Sequence, residues 1–199
     1  MGSERHAGDE DIGLLEEGIR SYLKATTAIT AFEREIQSRC REVLESQIDE
    51  YSSALMPPEP LAAKEIADFA APAWDKFDPL YRWVGAAIEG KHYKPTISWW
   101  GTYCGLEWEA EACYVGVAEW IGGPRIKSEQ LFEQMRNLKV VQEFDEQKGA
   151  GLYQFQKYVG ICQRIKPEEA ASLDKELERL MQKWIGLWNK IGGMEAIFK

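Results

Sequence analysis

From Asp11 to Leu55 the chain runs without one proline, and its apolar residues recur at steps of three and four: Ile12, Leu15, Ile19, Tyr22, Ile29, Phe32, Ile36, Cys40, Val43, Ile48, Tyr51 and Leu55. That spacing puts them on one side of a helix, so it predicts one long amphipathic helix. Asp9 or Asp11 can cap its start, and the Met56–Pro60 run MPPEP must end it. Unbroken, it would be on the order of 65 Å long at 1.5 Å per residue, longer than a chain of this size needs. It is therefore expected to bend, to break near Gly18 or the TTAIT segment, or to reach a partner. The organisation that follows is a flexible tail over 1–10 and a single domain over 11–199, with residues 11–55 as a helical arm.

With 199 residues, 45% of them hydrophobic and eight of them tryptophan, the chain has ample material for one core and little for two. The pattern beyond Pro60 predicts two short helices, over 60–70 and from the Asp78-Pro79 cap to Gly90. A hairpin follows, with strands over 96–108 and 114–121 joined through Glu109–Ala112. Large rings alternate with glycine along its faces, which lets rings lie over bare backbone. Ser128 is expected to cap a short helix, Lys139–Phe144 to form a short strand, and Leu152–Ile165 a longer one. In that longer strand Tyr153, Phe155, Val159 and Ile161 share a face opposite Gln154, Gln156 and Tyr158. Pro167, Glu168 and Glu169 open a last helix with the stripe Leu173, Leu177, Leu180, Met181, Trp184, Leu187, Trp188 and Ile191, stopped by Gly192 and Gly193. The class is α+β: an antiparallel sheet on a central hairpin, packed by the C-terminal helix, with a long N-terminal amphipathic helix.

A net charge of -9 leaves little cationic surface for phosphates, so nucleic acid is an improbable partner. Arg125, Lys127, Arg136 and Lys139 are the densest basic residues. No stretch is long and apolar enough for a membrane span, and the first ten residues lack the apolar run of a secretion signal. Cys40, Cys104, Cys113 and Cys162 have neither C-x-x-C spacing nor a histidine nearby, and read as reduced thiols of a cytoplasmic protein.

The stretch ISWWGTYCGLEWEAEACYVGVAEWIGG, Ile97–Gly123, carries the candidate chemistry. Glu107, Glu109 and Glu111 would share a face if one strand ran straight through, with Glu119 further along, and clustered carboxylates can hold a metal or act as acid and base. A hairpin puts Glu109 and Glu111 in a turn instead. E-x-K triplets occur at Glu89–Lys91 and Glu146–Lys148, both in expected turns and not on a strand after an acid, as a nuclease core would need. The histidines, His6 in the tail and His92 in the EGKHYK turn, leave no base for a serine or cysteine nucleophile. Trp99, Trp100, Tyr103, Trp108, Tyr114 and Trp120 are the candidate ligand-binding rings. Ile12, Leu15, Ile19 and Tyr22 are the candidate partner-binding residues, facing a protein partner or a second copy. No motif requires a cofactor. The reading is a non-enzymatic protein-interaction or regulatory protein. A small-ligand binder with an aromatic-lined cleft is the first alternative, and a carboxylate-dependent metal enzyme, hydrolase or nuclease-like, is the second.

Overall fold

The computed structural model describes residues 7–57, 59–72, 82–94, 97–109, 112–122, 125–138 and 151–195. Helix α1 spans Ala7–Leu55 without interruption. The expected break near Gly18 or Thr26–Thr30 does not occur; the hydroxyls of Thr26, Thr27 and Thr30 bond back to the carbonyls of Tyr22, Leu23 and Thr26 at 2.9, 2.9 and 3.0 Å, inside the ladder. The chain divides into two compact units, Met1–Glu35 and Ile36–Lys199.

The second unit is an α+β fold. Its strands are β1 (Ile66–Pro72), β2 (Arg82–Lys94), β3 (Ile97–Glu109), β4 (Ala112–Gly122), β5 (Gly151–Phe155) and β6 (Tyr158–Ile165). They form one sheet in the order β1-β2-β3-β4-β6-β5, with every pair antiparallel. The Ile36–Leu55 portion of α1, helix α2 (Arg125–Arg136) and helix α3 (Leu173–Ile191) share one core with a single face of this sheet. Tyr51, Leu44 and Leu55 of α1 and Trp184 and Trp188 of α3 are fully buried there. The stripe read for α3 is buried from Leu173 to Trp188, with Ile191 only partly buried, and Gly192 ends the helix in the left-handed conformation at φ 86°. Glycine also fits at Gly193, whose added Cβ would sit 2.9 Å from the Leu55 carbonyl; the Met194 amide donates to that same oxygen at 2.7 Å, tying the ends of α1 and α3 together.

The hairpin of β3 and β4 stands where the alternation placed it. Five other expectations are corrected. Residues 60–70 form only a 3-10 turn at Ala63–Glu65, where the Glu65 carboxylate accepts from the Ala62 amide at 3.0 Å, and then strand β1. β1 is an edge strand, which is why it tolerates Pro72 at its end. The segment read as a helix ending at Gly90 is β2 from Arg82 onward: Val84, Ala86 and Ile88 face the helices while Trp83, Gly85 and Ala87 face the other way, so both faces are apolar and the alternation is hidden. Glu89, Gly90 and Lys91 accordingly lie within a strand, at a bulge, and not in a turn. Residues 152–165 are two strands, turned at Gln156 (φ 52°), so Tyr153 and Phe155 face with Tyr158, away from Val159 and Ile161. Ser128 sits inside α2, past its first residue and not at its cap; its hydroxyl donates to the Gln156 carbonyl at 2.8 Å and anchors the helix on the β5–β6 turn. The strand expected at Lys139–Phe144 lies outside the described residues.

Candidate functional site

Glu119 lies on the helix side of β4, fully buried. Its geometry begins with a bulge. Trp99 pairs with Ile121 while Gly101 pairs with Trp120, leaving Trp100 as the extra residue on β3. The extra residue resets the side-chain parity, so Trp99 and Thr102 both point into the helix-side core. Gly101 carries the distortion: its φ is 144°, and an added Cβ would lie 2.5 Å from the Ile88 carbonyl.

Five donors meet on the Glu119 carboxylate. Oε1 accepts from Trp184 Nε1 at 2.9 Å, Trp188 Nε1 at 3.1 Å and Thr102 Oγ1 at 2.9 Å. Tyr51 Oη donates to the same oxygen and is also bonded to Thr102, and Trp99 Nε1 donates to Oε2. A carboxylate offers about four lone-pair sites, so its acceptor capacity is filled from within. Burial pushes the Glu119 pKa up, and the donors pull it back without cancelling that effect. Burial, followed by the Glu119 charge, pushes the Tyr51 phenol well up, which keeps it a donor. Three indoles enclosing one acid hold α1, α3, β3 and β4 to a single point. Such an acid has no side open to a substrate, and its work is architectural.

The opposite face of the sheet carries a second cluster. Phe69 and Trp83 meet edge to face at 5.0 Å, Trp83 and Tyr158 at 6.2 Å, and Tyr103 and Tyr158 at 5.7 Å. Next to them is a cleft of about 290 Å³ lined by Trp83, Glu107, Tyr114, Tyr153, Phe155 and Tyr158, with Gly105, Gly116 and Cys162 in its floor.

The third feature lies in the first unit. Leu14 and Leu15 are each 69% exposed, Tyr22 71%, Leu23 58%, Ile19 53%, Ile29 50% and Phe32 43%. Leu15, Ile19, Tyr22, Thr26 and Ile29 follow a 4-3-4-3 spacing, the stripe of a coiled-coil helix. Gly18 leaves a hollow among Leu14, Leu15, Ile19, Tyr22 and Leu23, and an added Cβ there would touch nothing within 4 Å.

The residues singled out by sequence therefore part company. Trp99 and Trp108 pack in the helix-side core, Tyr103, Tyr114 and Trp120 stand on the opposite face, and the Trp100 side chain is outside the described set. Of the five rings whose side chains are described, Tyr114 alone lines the cleft. Glu107 and Glu119 lie on opposite faces and do not meet, Glu109 ends β3 with its side chain undescribed, and Glu111 is outside the described residues. Among the described residues no group of three metal-ligating side chains comes together, and no helix is long and apolar enough to cross a membrane. His92 lies on β2 and His6 outside the described residues. Of the partner-binding set, Leu15, Ile19 and Tyr22 are exposed, and the Ile12 side chain is not described. Sequence reasoning missed Trp83, Tyr153, Phe155 and Tyr158 as cleft walls; the signal available was the direct opposition of Gly105 and Gly116, which clears their floor. Comparison with protein-family models, curated proteins and solved structures gave no match.

Proposed function

We propose that the protein is a non-enzymatic interaction protein that works by self-association, pairing the N-terminal stripe of α1 with the same stripe of a second copy. The observation that carries this reading is the exposure of seven large apolar side chains between Leu14 and Phe32, where a monomer leaves them in water. Each fully buried Leu or Ile side chain is worth roughly 1.5–3 kcal/mol, so an unpartnered stripe forgoes several such terms. Isolated helices are marginal in water and gain their stability from packing of an apolar face. The 3.5-residue repeat suits another helix of the same repeat, and the hollow at Gly18 is shaped to take a side chain from it. The same surface would also serve a heterologous helix, which the test separates.

The test places a photo-crosslinking amino acid at single positions of the purified full chain. Ile19 and Tyr22 lie on the stripe, and Glu17 and Lys24 lie on the opposite side of the helix. Adducts of twice the chain mass from Ile19 and Tyr22, with none from Glu17 or Lys24, support self-pairing. No adduct from any position at tens of micromolar protein refutes it.

A further inference from the structure

The exposed stripe of α1 also fixes how a second copy would lie against it. In the repeat Leu15, Ile19, Tyr22, Thr26, Ile29, one seam position of each heptad is held by Ile12, Ile19 and Thr26. The other is held by Leu15, Tyr22 and Ile29, with Gly18 flanking it. The helix is continuous here, so sequence spacing converts to distance along the axis at about 1.5 Å per residue.

Two copies laid parallel and in register would set each seam residue against itself. Two Tyr22 rings would share one layer and two Thr26 side chains the next, a wide layer beside a narrow one, whereas well-filled layers place large against small. Ile29 would also stand where parallel pairs prefer leucine. Charge disfavours the same arrangement. Residues 9–17 hold Asp9, Glu10, Asp11, Glu16 and Glu17 without a base, and residues 18–32 hold Arg20 and Lys24 without an acid. Arg20 meets Glu16 of its own helix at 3.7 Å, but both side chains are largely exposed, so the pair is screened and the first segment stays acidic. Parallel chains would lay two such acidic segments side by side, which costs association.

We propose, on the basis of the self-association above, that the two arms pair antiparallel about a two-fold axis midway between Ile19 and Tyr22, each Tyr22 seated over the partner's Gly18. Leu15 then faces the partner's Thr26, Ile19 the partner's Tyr22, and Ile12 the partner's Ile29, so large residues meet smaller ones in the central layers. The hollow among Leu14, Leu15, Gly18, Ile19, Tyr22 and Leu23 lies level with the partner's Tyr22. A Cβ on Gly18 would have nothing within 4 Å, so the glycine leaves open the space that a ring takes up. The parallel register would bring the partner's Ile19 there, which needs less room. Residues 9–17 run beside residues 24–32 of the other copy, which carry Lys24 and no acid. The two chains continue toward Ile36 from opposite ends of the pair, so the arms would hold two Ile36–Lys199 units apart and not cluster them.

Disulfide trapping in the purified full chain tests the direction and the register. Leu15 lies about 16 Å along the axis from the partner's Leu15 in the antiparallel pair, beyond the roughly 7 Å that a disulfide spans. The double variant Leu15→Cys/Thr26→Cys, mildly oxidised, should therefore give a species of twice the chain mass at least fivefold more abundant than Leu15→Cys alone. Tryptic peptide masses should show position 15 of one copy joined to position 26 of the other, which also separates this link from any made by the native cysteines. A link between position 15 of both copies, formed by Leu15→Cys alone, overturns the antiparallel pairing and leaves self-association standing. A dimer by light scattering in which neither link forms overturns the register and likewise leaves self-association standing. A wild-type chain that scatters as a 22.7 kDa monomer overturns both.

Discussion

Replacing Glu119 by glutamine changes one oxygen to an NH2 group in a place where every neighbour is a donor. Four donors converge on Oε1 and Trp99 alone on Oε2. The amide carbonyl does best on the Oε1 side, and its NH2 then faces the Trp99 N–H with nothing between them to accept. A hydrogen bond to a charged group is worth about 1.5–3 kcal/mol, and a buried donor left unpaired costs about 1–3 kcal/mol. The four bonds that survive lose their charge assistance. Relief from burying a charge returns part of this sum, so the net loss should be about 3 kcal/mol, the lower edge of what removing one partner from a buried charged network costs. Urea unfolding followed by tryptophan fluorescence measures it. Trp99→Phe removes the opposed donor, so the double variant Trp99→Phe/Glu119→Gln should be more stable than the sum of the single losses by at least about 1 kcal/mol. A Glu119→Gln protein within about 0.5 kcal/mol of wild type, in the range of ordinary surface changes, would refute the view that this carboxylate organises the core.

The same acid predicts a pH dependence. Its folded pKa is raised, so between the unfolded value and the folded one the folded state binds the extra proton, and stability contributed by this group increases as pH falls. The stability gap between wild type and Glu119→Gln should widen from pH 7 towards the unfolded carboxyl range; a gap that narrows would show that the donors outweigh burial. Trp188→Ala removes a fully buried indole from α3 along with one Glu119 donor, and should cost about 3–5 kcal/mol by thermal or urea unfolding; near-normal stability would place the α3 stripe outside the core. Gly105→Ala puts a Cβ 2.6 Å from Trp83 Nε1 and 2.7 Å from the Val84 carbonyl, so it should destabilise by about 1–3 kcal/mol and alter the Trp83 emission, whereas an unchanged spectrum would mean the indole does not lie over that strand.

How much of this was legible depended on whether one face of an element meets water. α3 was readable because its polar face is wet, and its buried stripe stood out at helical spacing. The β3–β4 hairpin was readable from turn residues and alternation. β2 was not, since Trp83, Ala87 and Ile88 are all buried, on both faces, and its alanines imitate a helix. The β5–β6 hairpin was hidden because Gln156 and Lys157 carry none of the usual turn chemistry, yet Gln156 adopts a positive φ. Glu119 was visible only as one acid of four. Its donors come from α1, β3 and α3, with Tyr51 and Trp188 far from it in sequence, and a bulge at Trp100 is needed to turn Trp99 and Thr102 the same way. Neither the distant contacts nor the bulge leaves a periodic trace. The stripe of α1, by contrast, is legible in the spacing of Leu15, Ile19 and Tyr22 alone, and all three are exposed.

The mass of the full chain in solution tests the central claim most directly. Light scattering on a sizing column at tens of micromolar should give a multiple of the 22.7 kDa chain. The variant Leu15→Lys/Ile19→Lys/Tyr22→Lys should give 22.7 kDa with an unchanged unfolding midpoint for the Ile36–Lys199 unit. A wild-type protein that elutes at 22.7 kDa, indistinguishable from the variant, would contradict self-association through α1.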